Sequence, residues 1–294
     1  MISLIKADIY RIFRSKGIYI TLAILAAFVA LTIFVFGAAM TQAGLTINTV
    51  DTPYGLQLTS DELANMTDLV ERMDTLTNEL MQDMITLPHG ITAADAVQIA
   101  MENVASVMIY FAIPLLVIVS MASFSSGAIK NELSTGHSRF AIYVSKFLLA
   151  ALLSVLLLAI HLVLSVLFAL PAAGFGTWGG GMVANLLQSF LLQGLTMVAL
   201  MSVGTFLCFA TRKTSAVIGL FLAFIWLPVA LVQLLSMAFS GALAYMYYDL
   251  GNQLMFFANV SANTQLLRGI AIALGYIIVP TVAGIALFKK AEIK

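Results

Sequence analysis

Charge is what this sequence has least of. Of its 294 residues, 10% are Asp, Glu, Lys or Arg, against about 25% in soluble domains. From Phe147 to Thr211 there is none, and four further uncharged stretches, Gly17 to Val50, Asn103 to Ile129, Thr214 to Tyr248 and Gly269 to Phe288, separate the remaining clusters. This argues against a large soluble helical core, whose helices would need a polar face. Cysteine is absent except for Cys208, which leaves no internal disulfide and no cysteine-held metal cluster. The sequence lacks a Gly-x-x-x-x-Gly-Lys-Ser/Thr loop, a His-Glu-x-x-His pair and any paired carboxylates within the apolar stretches. Neither phosphate cradling by this chain nor catalysis within a membrane is expected. No internal repeat is evident, which weighs against transporter folds built on inverted halves.

What is present is apolar sequence, 61% of the residues. A helix needs about 20 apolar residues to cross a ~30 Å hydrocarbon core. The long stretch therefore holds two spans and each of the others one, giving an all-α membrane protein with six transmembrane helices. The predicted spans are Ile18 to Met40, Asn103 to Phe124, Phe147 to Leu170, Ala184 to Phe209, Ser215 to Phe239 and Leu267 to Phe288. The first is too long for a signal sequence and is read as retained. Of the 14 Lys and Arg residues, all but Arg72 and Arg268 fall in four clusters: Lys6 to Lys16, Lys130 to Lys146, Arg212 with Lys213, and Lys289 to Lys294. Six spans put all four on one side, and positive flanks are retained inside. Both termini are expected in the cytoplasm, with a bacterial plasma membrane as the setting.

Residues 1–16 place Ile2, Ile5, Ile9, Ile12 and Phe13 on one helical face, with Lys6, Asp8, Arg11 and Arg14 off it. That pattern suits a helix in the inner interface with its basic side against anionic headgroups; a plain positive flank is the alternative. Residues 41–102 hold most of the carboxylates and are expected outside. Thr59 with Glu62 forms a capping box, and Met66, Leu69, Met73, Leu76 and Leu80 recur as a coiled-coil seam. Leu87-Pro88-His89-Gly90 ends that helix. Thr92 with Asp95 starts another, and Val97, Met101, Val104 and Met108 run on into the second span. A helical hairpin about 40 Å long at 1.5 Å per residue follows. Its seam either closes on itself or meets a second protomer or a substrate.

Within the spans only His161 is ionisable and deep; it serves as a packing residue or, with partners, as a relay. Asn185, Gln188, Ser189, Gln193 and Thr196 form a polar stripe on the fourth span. The stripe either packs against neighbouring helices or lines a translocation path. Pro114, Pro228 and Pro280 interrupt three spans as expected kinks. Residues 240–266 are too apolar for a solvated loop and either re-enter the outer leaflet or form an aromatic belt.

The segment 125–146 reads as a short helix ended by Gly136, then a turn capped by Ser138 entering the third span, with Lys130, Glu132 and Arg139 exposed for a partner. Here the chain resembles the permeases of ABC-2 type exporters. In that family a glycine, a short helix with Ile-Lys, a Gly-x-Ser-Arg and a Tyr-x-x-Lys form the loop that docks on the ATPase subunit. The chain matches at Gly127, Ile129, Lys130, Gly136, Ser138, Arg139, Tyr143 and Lys146. It departs at Ser123, where the family often has an acidic residue, and at Ala128, where it has threonine.

The resemblance implies a permease subunit with no catalytic residue or cofactor of its own. ATP and Mg would be held by a separate cytoplasmic ATPase. It implies a second permease copy, identical or not, a surrounding bilayer and no nucleic-acid partner. The implied ATPase-coupling residues are Gly127, Lys130, Glu132, Gly136, Ser138 and Arg139, and the implied cargo is an amphipathic peptide, an antibiotic or another hydrophobic molecule. Two other classes stay open: a non-transporting membrane sensor or immunity protein that binds a toxin or peptide through the outer hairpin, and an intramembrane enzyme, which would need polar groups the spans lack.

Overall fold

The structure, a computed structural model, describes residues 2–46, 92–237, 239, 245–246, 248–258 and 266–290. Among the described residues all regular structure is helical. The chain runs through α1 (Ile2–Arg14), α2 (Lys16–Thr46), α3 (Ala93–Glu102) and α4 (Val104–Leu116). A π-helical turn, Val117–Met121, leads from α4 into α5 (Ala122–Ser125). Then come α6 (Ala128–Ser134), α7 (Arg139–Ala173), α8 (Gly180–Thr211), α9 (Thr214–Ser236), α10 (Leu250–Phe256) and α11 (Leu266–Lys290).

Six helical segments are long and apolar enough to cross a membrane: Lys16–Val35, Val107–Ser125, Arg139–Pro171, Gly180–Thr211, Thr214–Ser236 and Leu266–Lys290. The described residues are thus those of a helical membrane protein. The segments agree with the predicted spans to within a few residues, apart from two ends. The helix of α7 starts at Arg139, well before Phe147, because Ser138 caps it by accepting from Ala141 N at 3.1 Å. Tyr143 and Lys146 thereby ride on the helix. α2 continues past the predicted Met40 to Thr46.

α8 is the hub. It packs most heavily on α11, then on α7, α9, α10 and α4. Small residues permit the closest approaches, as expected where helices associate in lipid by van der Waals packing. A β-carbon at Gly204 of α8 would collide with the Leu116 side chain of α4, and one at Gly284 of α11 with the Tyr143 ring of α7. α9 and α11 stand at the margin with little of their surface covered, exposing Trp226, Leu227 and Leu231 on one and Ile278, Val279 and Val282 on the other. Such faces suit hydrocarbon.

Pro114 lies in α4 just before the π-helical turn, where its missing N–H and ring relax the helix ladder. Pro228 and Pro280 sit inside helices that run on unbroken.

The proposed hairpin falls largely outside the described residues, with its first capping box and the seam from Met66 to Leu80. Its expected restart is present. Thr92 Oγ1 accepts from Asp95 N at 3.3 Å, and an Asp95 carboxylate oxygen accepts from Thr92 N at 3.2 Å. α3 does not stand free of the bundle, however. It packs along α7 and buries Ala93, Ala94, Val97, Ala100 and Met101. Val97 and Met101, expected to run on into the second span, are both buried; the other arm of the hairpin lies outside the described residues. The connector between α7 and α8 closes over the N-terminus of α3: Gly174 O accepts from Ala93 N at 2.9 Å and Phe175 O from Ala94 N at 3.2 Å.

α10, the described helix within the predicted apolar loop, packs on α8 and α4 with Leu250, Gln253 and Leu254 buried. Its contact Gln193 lies about 28 Å along α8 from Arg212, the level at which a ~30 Å core would end.

Candidate functional site

The basic clusters meet at one end of the bundle, and the matched loop lies there. Gly127 (φ 70°) turns the chain out of α5 into α6, and Gly136 (φ 84°) turns it out again. A β-carbon at either would meet nothing within 4 Å. The left-handed backbone, not lack of room, is what calls for glycine there. Ile129 is buried and Leu133 half-buried, so α6 rests on the bundle by one side and presents Lys130, Asn131 and Ser134 outward.

Beneath α6 lies a charge network. Lys146, on α7, is fully buried. Its Nζ donates to both carboxylate oxygens of Asp8 at 2.7 Å and to Glu132 Oε1 at 2.9 Å. Arg11 Nη2 donates to Asp8 Oδ1 at 2.8 Å and to Ser123 Oγ at 2.5 Å. Two cations thus balance two carboxylates, and three parts of the chain, α1, α6 and α7, share them. A buried charge is tolerable only with such pairing.

Arg139 makes the other anchor. Its Nη1 donates to Phe288 O at 3.0 Å and Lys289 O at 2.9 Å, and its guanidinium carbon lies 5.9 Å from the centre of the Phe288 ring. The last carbonyls of a helix lack intrahelical donors and carry partial negative charge, so Arg139 caps α11. Deeper in, Phe209 of α8 is surrounded by Phe124, Tyr143 and Phe288 with ring centres 5.1, 4.7 and 4.8 Å away.

The structure therefore brings Gly127, Lys130, Glu132, Gly136, Ser138 and Arg139 to one place but changes the expected exposure of two of them. Glu132 and Arg139, expected to be exposed for a partner, are engaged within the chain; Lys130 remains outward. For Glu132 the reason is Lys146, which lies inside the packing rather than at its rim and needs carboxylates around it; for Arg139 it is the unsatisfied last carbonyls of α11. Sequence reading placed Asp8 and Arg11 on the polar side of the leader, facing headgroups, and saw Ser123 only as a departure from the family pattern; the structure turns Asp8 inward and joins all three. A signal existed: Asp8 is the sole acidic residue of a basic leader and sits one helical turn from both Leu4 and Ile12. Leu4, Asp8 and Ile12 form the buried face of α1, while Phe13, assigned to the apolar side, is exposed. At Ser123 the expected acidic residue is lacking, and Asp8 brings a carboxylate to the same guanidinium from α1.

The polar stripe of α8 divides. Gln193 is fully buried, its Nε2 donating to Met101 O at 2.8 Å and Leu254 O at 2.9 Å, so it ties α3 and α10 to α8. Ser189 donates to Ala258 O at 3.0 Å and Thr196 to Leu192 O at 3.1 Å. Asn185 is half-buried and Gln188 exposed. His161 Nε2 lies 3.4 Å from Ala100 O on α3, a packing contact.

Residues 82–294 match the model of a family of proteins of unknown function, DUF2705. This chain belongs to the DUF2705 family. The match takes in α3 through α11, hence Glu132, Arg139 and Lys146, and leaves α1 with Asp8 outside it. No curated protein matches the chain. Membership of DUF2705 assigns no activity, and the functional reading rests on the site.

Proposed function

We propose that this DUF2705 chain is the membrane subunit of an ATP-driven exporter of the ABC-2 type, docking a separate cytoplasmic ATPase through α6 and working with a second permease copy. The observation that carries the reading is the mounting of α6: a short helix between two left-handed glycines, outward at Lys130, Asn131 and Ser134, and fixed to the bundle from behind. A push on α6 passes through Glu132 and Lys146 to α7, and through Asp8 to α1. Arg139, just beyond α6, ties the same region to α11. ATP and Mg would belong to the partner subunit. The apolar bundle favours an amphipathic peptide or hydrophobic antibiotic as cargo. Of the polar stripe, Asn185 and Gln188 are the members left to face it.

The test is co-expression with the ATPase subunit expected to be encoded beside it. Lys130→Glu and Asn131→Arg are expected to lower recovery of the ATPase with the permease by roughly tenfold or more, as charge substitutions at a docking face do. Their thermal stability should match wild type. Wild-type recovery of the ATPase by both variants would overturn the reading.

A further inference from the structure

We propose that the exposed face of α1 docks on anionic lipid headgroups and that this docking orders the α6 loop through Asp8. The inference goes beyond the exporter reading; it requires that the basic end lie at the inner membrane surface, and it requires no ATPase.

The argument starts from the two faces of α1. One is buried, with Leu4, Asp8 and Ile12 against the bundle. The other carries Lys6, Tyr10, Phe13 and Arg14 at helical spacing, all exposed, with Tyr10 at 67% and Phe13 at 53%. Lys16 and Tyr19 extend that face across the bend into α2, and Tyr19 fixes the bend by donating to Phe13 O at 2.9 Å. Among the described residues of this face every formal charge is positive, because the single carboxylate of α1 is turned inward and paired. Cations interleaved with aromatics match a headgroup layer, where the rings enter the acyl boundary and the cations meet phosphate. A zwitterionic surface would offer the rings a site but the cations little.

The two faces are mechanically linked. Asp8 is held by Arg11 on its own helix and by Lys146 on α7, and the same Lys146 holds Glu132 of α6. When α1 is pinned to the membrane, Asp8 is presented to Lys146 at fixed position, and Lys146 in turn keeps Glu132 and with it α6. When α1 lifts, Lys146 loses the carboxylate that accepts two of its bonds. Glu132 then has to satisfy it alone, and α6 is drawn from its seat.

The experiment is amide hydrogen exchange on the full chain in nanodiscs of phosphatidylcholine alone or of phosphatidylcholine mixed with phosphatidylglycerol. In the mixture, exchange at Lys130 to Thr135 is expected to slow by roughly tenfold, given about a fivefold gain per cation at an anionic surface. Asp8→Asn should keep the lipid response in α1 and lose it in α6. Lys6→Gln, Arg14→Gln and Lys16→Gln combined touch none of the buried network and should abolish the response in both. Equal exchange of the wild-type loop in the two lipids overturns the proposal, as does a wild-type loop response in the triple variant. Should Asp8→Asn fail to fold, the triple variant decides alone. Loss of ATPase docking would leave these outcomes unchanged, so the two readings fail separately.

Discussion

Lys146 is a cation out of reach of water, held by Asp8 and Glu132. Removing one partner of a buried pair leaves its counter-charges uncompensated, at a cost of about 3–5 kcal/mol. Lys146→Ala is therefore expected to lower stability by that amount in thermal unfolding of the detergent-purified protein, while Lys130→Ala stays within about 0.5 kcal/mol. Asp249 gives a residue-scale test of the opposite sign. It caps α10 by accepting from Asn252 N at 2.9 Å, yet burial pushes its carboxyl above the ordinary carboxylate range, the backbone bonds from Asn252 and Gly251 only partly opposing this. With the folded value raised, its contribution to stability is full below the unfolded value and is lost as pH rises through the folded one. Asp249→Asn, a cap of similar quality, should equal or exceed wild type in midpoint at neutral pH, and that advantage should vanish on acidification below the ordinary carboxylate range. At this scale the sequence was readable where partners are local and misleading where they are distant. Ser138 as a cap follows from its neighbours, whereas Glu132 and Arg139 looked free because their partners, Lys146 and the end of α11, are remote in the chain or hidden in its packing.

α3 shows the same division at the scale of an element. Its start at Thr92 and Asp95 was legible because a capping box is written within four residues. Its resting place was not: the spacing of Val97 and Met101 declares an apolar stripe without naming its neighbours, and the helix lies along α7, with Met101 O bonded to Gln193 of α8. The π-helical turn at Val117–Met121 was unreadable for a related reason. Pro114 announces a disturbance of the ladder, but how the helix resolves it depends on neighbours such as Gly204, against which Leu116 is packed. The connector that closes on α3 supplies a prediction. Gly176 has φ 69°, and a β-carbon there would collide with Thr92. Gly176→Ala is expected to loosen the start of α3 at a cost of about 1–3 kcal/mol. The measurement is hydrogen exchange at Ala93 to Val97, which should speed up while α9 stays unchanged.

For the whole molecule, the six spans were legible because length and lack of charge decide them without reference to any partner. That α8 would be the hub, and α9 and α11 the margin, was not, since all the spans are similarly apolar and only contact distinguishes them. Orientation is open to direct measurement. Cysteines placed at Ser134, on α6, and at Phe175, on the far connector, are expected to react from opposite sides of sealed cells, Phe175→Cys from outside. Cys208 is buried and should stay silent. Labelling of both positions from one side would refute the six-span topology.

The closure of Gly174 and Phe175 over Ala93 and Ala94 bears on how such a protein can vary. The free amides at the start of α3 are satisfied by the connector and by Thr92 and Asp95, so nothing upstream of Thr92 is required to complete that helix. The two ends that meet there, the connector after α7 and the capping box before α3, therefore act as one joint. A change in the connector at Gly174 or Phe175 would then be felt first at the start of α3, a place remote from it in sequence.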